Sequence, residues 1–454
     1  MKILVCVKVI KGEINPFDES ALECALTMSR DVTVISMGPL SSKSALEKLT
    51  RLGAKVILLS DSIYAGSDTL ATSYILSKQI GKMDYDLILC GRQSIDGDTA
   101  QVGPMLSCML GLSLATNALS VEYADDNSLF VKSRMGDETV SFPALVTVER
   151  GYVLRFPSIF SKQGEVQIID NTILNCDKEK CGLLGSPTRV LESYENERGK
   201  RKCRFISFEE LKPLIDTLMS KEDKIVATSY NGVKFPCVWA VGEKVLPKSK
   251  EIAENVVFME EIEPSEIAKK AIAEKPSVIL WNADMWGRKN APIVAAMLNT
   301  GLCADCTSLE TDGETLFMYR PASGGNIIAK IKCNTHPQMA TVRTETPVND
   351  IIVSGGKGVA ENVDKLKNFA KELGAELGAS RGLVDMVKVD YSRQIGLTGK
   401  TVSPKIYIAI GISGAVHHTC AIEGATTVIA INSDKDARIF EYADYGIVED
   451  FFDL

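Results

Sequence analysis

Short apolar stretches alternate with amphipathic stretches along the first part of the chain. The apolar runs are KILVCVKVI, DVTVISMG, KVILLS and DLILCG. They are short and rich in β-branched residues, which predicts buried strands. Between them, the stretches ESALECALTMSR, SKSALEKLTRLG and DTLATSYILSKQIGK carry apolar residues at helical spacing. This alternation predicts βαβ units and a parallel sheet that is covered by helices on both faces.

The same order of elements returns later in the chain. Residues 86–112 and residues 277–302 both consist of a strand-like run, a polar loop, a helical stretch and a final Gly-Leu pair. Each copy is followed by an apolar stretch that ends in a similar short sequence, PALVTVE from Pro143 and PQMATVR from Pro337. We therefore predict two similar parallel-sheet α/β modules that pack as a pseudo-dimeric base.

A third α/β unit follows the second module. It begins with the strand-like run IIVSGG at Ile351, and it contains several Gly-rich turns. The segment between the two modules has the least globular composition, with the charge run ENERGKRK and one helical stretch, SFEELKPLIDTLMS. We predict a C-terminal domain of the flavodoxin-like or Rossmann-like kind. The predicted divisions are a first module with a C-terminal arm, a connecting segment, a second module and the C-terminal domain, at residues 1–194, 195–235, 236–345 and 346–454.

Composition excludes several classes of function. Hydrophobic residues make up 45% of the chain and charged residues 24%, as in ordinary soluble α/β proteins. The net charge of −8 and the pI near 5.3 argue against nucleic acid or an anionic membrane as the main partner. No apolar run reaches the length of about 18 residues that a bilayer span needs, and no signal or transit peptide is evident, so we expect a cytoplasmic protein. The twelve cysteines are scattered, and the CxxC of Cys303 and Cys306 has no matching second pair, so we expect no metal site.

Glycines and polar residues cluster at turns of the C-terminal unit. Glycine permits positive φ and a close approach of a ligand, and free amides at such turns bind phosphate groups. Two of the three histidines of the chain, His417 and His418, follow the last turn. Together these features predict a nucleotide site at four turns, Ser354–Gly358, Gly378–Arg381, Gly396–Lys400 and Gly411–Gly414.

The stretch from Leu397 to His418 closely resembles the FAD-binding signature of the electron-transfer flavoprotein large (alpha) subunit. The resemblance implies an FAD-binding domain, in which Thr398 matches the threonine whose hydroxyl reaches flavin N5. His418 matches the histidine near flavin O2, where a positive or hydrogen-bonding group stabilises an anionic reduced ring. The alternative for His418 is a satisfied core histidine at the start of a helix. The resemblance also implies FAD contacts at Ser354, Gly355, Lys357, Gly358, Ser380, Arg381, Gln394, Gly411, Ser413, Gly414, His417, Asn432, Asp434 and Asp444.

The chain departs from the family pattern at three of these turn positions. Lys357 stands where the family usually has an arginine that stacks over the flavin. Lysine keeps the charge but lacks the planar guanidinium group. Leu397 and His417 stand where the family often has glutamine. We expect these departures to affect the redox potential more than the binding of FAD.

A polar loop from Gly91 to Pro104 joins a strand to a helix in the first module. Asp98 or Thr99 is predicted to cap that helix and to leave free amides for a phosphate, and the alternative is a plain capped loop. The motif closely resembles that of the family's small (beta) subunit, where it binds AMP or, in electron-bifurcating members, a second FAD. The sequence DGDTAQVGP resembles the bifurcating members more closely than the AMP-binding ones, which favours FAD. The resemblance implies a second nucleotide at Cys6, Asn15, Met37, Asp96, Gly97, Asp98, Thr99, Gln101 and Val102.

The segment from Arg155 to Phe160 resembles the partner-recognition loop of the beta subunit, with Ile159 at the position of the anchoring apolar residue. The lysine-rich continuation that is usual in the family is missing. Nearly the whole chain resembles the family in the order beta then alpha, and the resemblance is weakest at about residues 195–235.

The resemblance implies a gene fusion of both subunits that folds as a monomeric pseudo-heterodimer. Such a protein carries electrons on FAD between a flavin dehydrogenase, of the acyl-CoA dehydrogenase type, and another redox carrier. An alternative within the family is electron bifurcation with NADH as a further partner and a second FAD. An alternative from another class is a regulatory protein that binds adenine nucleotides without redox work. No residue is predicted to be catalytic, since GxSxG, P-loop and HExxH motifs are absent.

Overall fold

The computed structural model describes residues 1–133, 136–195, 200–220, 232–323, 327–344, 349–386 and 388–453. Within these ranges the chain is mixed α/β with several parallel sheets, which confirms the predicted fold class. It forms two compact units, one from residues 1–193, 230–323 and 329–343, and the other from residues 194–229, 324–328 and 344–454. The predicted boundary between residues 345 and 346 lies outside the described residues. None of the helices in the described ranges is both long and apolar enough to cross a bilayer.

The first module is built on a nine-stranded sheet in the order β11-β5-β4-β1-β6-β10-β7-β8-β9. The strands from β11 to β7 are parallel, and β8 and β9 add an antiparallel ladder at one edge. The elements of this module are β1 (Lys2–Cys6), β2 (Val9–Ile10), β3 (Glu13–Ile14), α1 (Pro16–Met28), β4 (Asp31–Met37), α2 (Lys43–Thr50), β5 (Lys55–Leu59), α3 (Thr69–Ile80), β6 (Leu87–Gly91), α4 (Val102–Leu110), β7 (Ser113–Asp125), β8 (Ser128–Ser133), β9 (Gly136–Ser141), β10 (Ala144–Val148), β11 (Val166–Ile169), α5 (Asn171–Leu174), α6 (Gly182–Gly185) and β12 (Thr188–Glu195).

The segment after the first module contains β13 (Arg204–Phe205) and α7 (Leu211–Ser220). The second module repeats the local topology of the first, because β14-β16-β21-β17 follow one another in parallel as β1-β6-β10-β7 do. Strands β12, β20, β19 and β18 form a separate four-stranded sheet. The elements of this module are β14 (Phe235–Val241), α8 (Leu246–Ile252), β15 (Ala253–Met259), α9 (Pro264–Glu274), β16 (Val278–Asn282), α10 (Met285–Leu298), β17 (Leu302–Cys306), β18 (Ser308–Thr311), β19 (Leu316–Ala322), β20 (Ile327–Cys333) and β21 (Gln338–Val342).

The two modules share one apolar core. Leu70 of α3 and Met105 of α4 are buried in the same cluster as Trp281 and Val294 of the second module. Helices α4 and α10 pack against each other in this cluster, at the position where the sequence repeat aligns them. Burial of large apolar side chains on both sides makes the two modules one compact unit.

The second unit is a parallel sheet in the order β13-β26-β25-β24-β22-β23. Its middle strands are completely buried, as the continuous apolar runs predict. Leu211 and Ile215 of α7 belong to its core, so the segment before the second module packs with the C-terminal residues. The remaining elements are β22 (Ile351–Gly355), α11 (Val363–Glu372), β23 (Glu376–Ala379), α12 (Arg381–Asp385), β24 (Ile406–Ile410), α13 (Val416–Thr419), β25 (Thr427–Ile431) and β26 (Tyr445–Ile447).

Candidate functional site

The Gly-rich turns of the second unit lie at one edge of its sheet. Strands β22, β23, β24 and β25 run parallel, so their carboxyl ends meet at the same edge. In open parallel sheets, ligands bind outside this edge. The sequence-predicted positions that directly follow these strand ends or lie in them are Ser354, Gly355, Lys357, Gly358, Ser380, Arg381, Gly411, Ser413, Gly414, Asn432 and Asp434.

Backbone hydrogen bonds join these turns to one another. Gly358 N donates to Gly411 O at 3.2 Å, and Ser380 N donates to Gly355 O at 2.8 Å. A Cβ at Gly356 would lie 2.0 Å from the carbonyl oxygen of Gly411, so only glycine permits this approach of the two turns. The side chain of Asn432 donates to Ile412 O at 2.9 Å and ties in the third turn. These bonds join the turns at Gly355–Gly358, Ser380 and Gly411–Ile412 into one stretch of backbone, here called the Gly-rich rim.

The loop before β24 adds a buried polar pair to this edge. Ile395 N donates to Ala379 O at 2.9 Å, which places the loop beside β23. The amide nitrogen of Gln394 donates to the hydroxyl oxygen of Thr398 at 2.7 Å. Gln394 is 1% exposed, and its amide oxygen has no hydrogen-bond partner among the described residues. A buried acceptor without a donor is costly, so this oxygen is placed to accept from a water molecule or from an N–H or O–H group of a ligand.

His418 lies behind this loop, buried at 5% exposure. Its Nδ1 lies 3.1 Å from the carbonyl oxygen of Ile395, which can only accept, so Nδ1 carries the proton. Its Nε2 lies 2.9 Å from the hydroxyl of Tyr407, which therefore donates to it. Burial lowers the pKa of His418 to about 4, although the bond to Ile395 opposes this shift. The ring is thus neutral near pH 7, and both of its nitrogens have partners within the unit. His417, next to it, is exposed, and its carbonyl accepts from Leu397 N at 2.6 Å.

Asp444 does not join the other positions. It precedes β26 and accepts from Val428 N at 2.8 Å near the amino end of β25. Since the strands are parallel, this is the edge of the sheet opposite to the Gly-rich turns. Its carboxylate pairs with Arg201, which also donates to the carbonyl oxygen of Thr426. The structure therefore gives Asp444 a structural partner far from the predicted nucleotide contacts.

The polar loop of the first module follows β6 and ends at α4. Asp96 accepts two bonds from Lys8 Nζ, at 2.7 and 2.9 Å, and this lysine lowers the pKa of the carboxyl against the opposing effect of burial. The side chain of Asn15 binds both sides of the loop, by donating to Gln93 O at 2.9 Å and accepting from Ile95 N at 3.3 Å. These contacts order the loop from the carboxyl ends of β1 and β6.

The prediction that Asp98 or Thr99 caps α4 is wrong. The helix begins at Val102, Gln101 occupies the N-cap position, and no side chain caps it. Asp98 instead accepts from the amide of Gln93 at 2.9 Å. The reason is the backbone, because Asp98 and Ala100 have φ values of +52° and +55°, so the chain turns away before the helix begins.

The other predicted contacts of the second nucleotide lie around this loop. Gln101 is 1% exposed, and its side chain accepts from Thr69 Oγ1 at 2.7 Å and donates to Leu302 O at 3.0 Å. Cys6 ends β1 in register with Cys90 of β6, and Met37 ends β4. Cys6 and Met37 therefore lie at the carboxyl edge of the sheet, and the loop that contains Gly97 starts from the same edge, whereas the side chain of Gln101 is occupied by Thr69 and Leu302.

Ile159 lies at the tip of an exposed apolar loop. Phe156, Ile159 and Phe160 are 96%, 86% and 87% exposed. The base of the loop is held by Arg155, whose guanidinium binds the carboxylate of Glu23 at 2.7 Å. Exposed apolar clusters of this kind on an anchored loop mark interaction sites.

Three contacts near the predicted sites could not be predicted from the sequence. Tyr407 reads as a core residue of an apolar strand, yet its hydroxyl is the hydrogen-bond partner of His418 Nε2. Asp18 reads as an early residue of a helix, but its carboxylate accepts from Lys8 N and Gly91 N and joins the ends of β1 and β6. Burial raises the pKa of Asp18 to about 7. Arg320 reaches the loop of the first module from a position more than two hundred residues away, which no local pattern could reveal.

Comparison with known families agrees with this geometry. A model described as "Electron transfer flavoprotein FAD-binding domain" matches residues 347–423, and one described as "Electron transfer flavoprotein domain" matches residues 3–174 and 261–367. The electron transfer flavoprotein subunit alpha of Thermoanaerobacterium thermosaccharolyticum is 41% identical over 235 residues, which are 41% of this chain and 70% of that protein.

Two further relatives show the same extent of similarity. The subunit alpha of Megasphaera elsdenii is 41% identical over 229 residues, which are 39% of this chain and 68% of that protein. Protein FixB of Clostridium saccharobutylicum is 39% identical over 231 residues, which are 40% of this chain and 69% of that protein. The chain therefore belongs to the electron transfer flavoprotein family, carries an FAD-binding domain and functions in electron transfer.

Proposed function

We propose that this chain joins a beta-like half and an alpha-like half of an electron transfer flavoprotein in one polypeptide. The family domain model matches two separate segments. The first lies in the first module and the second covers most of the second module, and the two modules share the strand topology described above. The alpha-subunit relatives align with about two fifths of the chain, 41% in the case given above, which leaves room for a second half. The common core around Trp281 and Met105 holds the two modules together as one unit.

The Gly-rich rim is the observation that carries the FAD assignment. The amides of Gly356, Gly358 and Gly411 donate to backbone carbonyls and hold the turns in place. The cations Lys357 and Arg381 lie at the same edge as these turns and suit phosphate groups. The unpartnered amide oxygen of Gln394 and the hydroxyl of Thr398 fit the polar edge of a flavin. FAD supplies the reversible uptake of one or two electrons when it is bound.

His418 contributes to the electrostatics of this site as a neutral group. Because Ile395 and Tyr407 hold both of its nitrogens, the ring contributes an oriented dipole rather than a positive charge near pH 7. Positive charge at this edge comes from Lys357 and Arg381 instead. We propose that these cations, rather than His418, set the electrostatic part of the flavin potential.

A second adenine nucleotide binds at the loop of residues 96–102 in this proposal. The supporting observations are the carboxyl-edge position of the loop, its ordered backbone and the amino terminus of α4 at its end. Asp96, held by Lys8, and Thr99 are the side chains placed to contact the nucleotide. AMP and a second FAD both fit these contacts.

A flavin dehydrogenase of the acyl-CoA dehydrogenase type is the proposed electron donor. The apolar tip formed by Phe156, Ile159 and Phe160 suits an apolar pocket on such a partner. The ion pair between Arg155 and Glu23 holds the loop in place before binding, so little ordering entropy is lost.

Release of the cofactors on denaturation tests the proposal. The purified chain is denatured, and FAD and AMP are separated and quantified per polypeptide. We expect two adenine-containing nucleotides, at least one of them FAD. One FAD with one AMP supports the simple carrier, and two FAD with NADH oxidation supports the bifurcating alternative. A fully loaded chain with one nucleotide refutes the second site, and a chain without flavin refutes the redox function in favour of a regulatory one.

A further inference from the structure

The second module contacts the nucleotide loop of the first module through a buried arginine. Arg320 lies in β19 and is 4% exposed. Its guanidinium donates to Gly97 O at 2.6 Å and to Asp98 O at 3.2 Å, and its Nε donates to Ala304 O at 2.7 Å. The guanidinium thus binds two consecutive carbonyls of the loop and one carbonyl of its own module.

The loop needs such an external support. Asp98 and Ala100 have left-handed φ values of +52° and +55°. For residues with a side chain, this conformation costs roughly 1–2 kcal/mol each. It therefore persists where the surroundings hold it in place. Two other bonds between the modules add to this support. Ser323 N donates to Asp96 O at 3.2 Å, and the Gln101 side chain donates to Leu302 O at 3.0 Å.

The contact also fixes the direction of an amide. In a planar trans peptide, the N–H of a residue points opposite to the preceding carbonyl. Because Asp98 O points at Arg320, the N–H of Thr99 points away from it, toward the other side of the loop. Backbone amides that are aligned in this way are suitable donors to an anion.

Arg320 is itself held in a charged cluster. Burial opposes the ionisation of Asp305, but Arg288, Arg343 and Arg320 together keep the pKa of its carboxyl below the ordinary range. Asp305 accepts from Arg288 at 2.8 and 3.1 Å and from Arg343 at 3.1 Å. The planar guanidinium of Arg320 can serve three carbonyls at fixed angles, which a lysine cannot do.

We propose that Arg320 is a positioning residue for the second nucleotide. From the second module it holds the backbone of residues 97–99 so that the Thr99 amide donates to a phosphate of an adenine nucleotide. This inference rests on the second nucleotide site proposed above. It makes the affinity of a site in one module depend on a residue of the other module.

The test measures AMP binding by calorimetry to the FAD-loaded chain after the second nucleotide has been removed. We expect Arg320→Met to weaken AMP binding by about tenfold or more, since it removes charge-assisted bonds that fix the loop. Arg320→Lys should restore part of the affinity. The matched control is Arg201→Met, which removes an arginine of the other unit that also donates to backbone carbonyls, those of Thr426 and Ala425, and pairs with Asp444. It should stay within about twofold of the wild type.

The outcomes separate the inference from the function on which it rests. If the wild-type chain binds no AMP and no second FAD, the second site itself is wrong. If the wild type binds AMP and Arg320→Met binds it equally well, the positioning role is overturned. Amide hydrogen exchange of the wild type gives a second measurement that does not depend on the folding of a variant. AMP should protect the Thr99 amide from exchange, and an unprotected Thr99 amide in the AMP complex would overturn the proposed geometry.

Discussion

The neutral state of His418 leads to a quantitative prediction about pH. The folded unit holds the ring neutral with a pKa of about 4, whereas the ordinary pKa of histidine is 6.5. An unfolded chain takes up a proton near that ordinary value, but the folded unit does not. The contribution of His418 to the free energy of unfolding is therefore highest above about pH 6.5, and it decreases as the pH falls toward about 4. The difference between the two pKa values corresponds to about 3 kcal/mol in total, of which about 2 kcal/mol is lost between about pH 7 and about pH 5.

The assay uses the FAD-loaded chain, after the second nucleotide has been removed, and follows unfolding in urea by two separate signals. Flavin fluorescence on release reports the unit that contains His418. All three tryptophans, Trp239, Trp281 and Trp286, lie in the other unit and report its unfolding independently. The comparison variant is His418→Asn, whose amide can still donate to the Ile395 carbonyl but does not titrate.

We expect the wild type to lose about 2 kcal/mol more than His418→Asn in the flavin signal over this pH range. The tryptophan signal should show no such difference between the two proteins. Parallel pH profiles of the flavin signal in both proteins would show that His418 is not held neutral, and would refute the assignment of its two hydrogen bonds.

Further predictions concern the docking loop, the second nucleotide and the Gly-rich rim. Ile159→Ala should slow reduction by an acyl-CoA dehydrogenase-type partner by about tenfold, while Ile173→Ala, which truncates another exposed isoleucine, on α5, should not, as stopped-flow absorbance will show. Asp96→Ala should weaken the second nucleotide in equilibrium dialysis without loss of the FAD of the C-terminal unit, and loss of both would contradict two independent sites. Gly356→Ala should destabilise the rim by about 1–3 kcal/mol and lower FAD affinity in a fluorescence titration, because its Cβ would overlap Gly411 O; unchanged affinity would show that the two turns do not need this approach.

The local pattern of hydrophobic residues was sufficient to predict most of the strands and helices. The predicted strands at DVTVISMG and KVILLS and the helix at DTLATSYILSKQIGK are present as β4, β5 and α3, because hydrophobic period and burial agree there. Three of the four predicted turns of the C-terminal unit lie at strand ends, and the fourth, Gly396–Lys400, lies in the loop before β24. Glycine and small polar residues are typical of turns, so their clusters predicted where the turns lie.

Long-range contacts explain what the sequence could not predict. Asp98 looked like a helix cap, but Arg320 holds its carbonyl from more than two hundred residues away and the helix begins later. Asp444 resembled a nucleotide contact, but its partner is Arg201, in the segment of weakest resemblance. In both cases the partner is distant in sequence, and a carboxylate on its own does not show which donor it will meet.

The discontinuous origin of the FAD-binding unit has a consequence for synthesis of the protein. Helix α7 leaves the ribosome well before β22, with the whole second module between them, yet Leu211 and Ile215 reach their core only when the C-terminal strands have formed. Until then their apolar face has no native partner, and contacts of such long sequence separation form slowly. A nascent chain that stops before β22 therefore exposes the apolar face of α7, which can bind other apolar surfaces. Folding of this unit must wait for the last quarter of the polypeptide, whereas the first module can complete its sheet early.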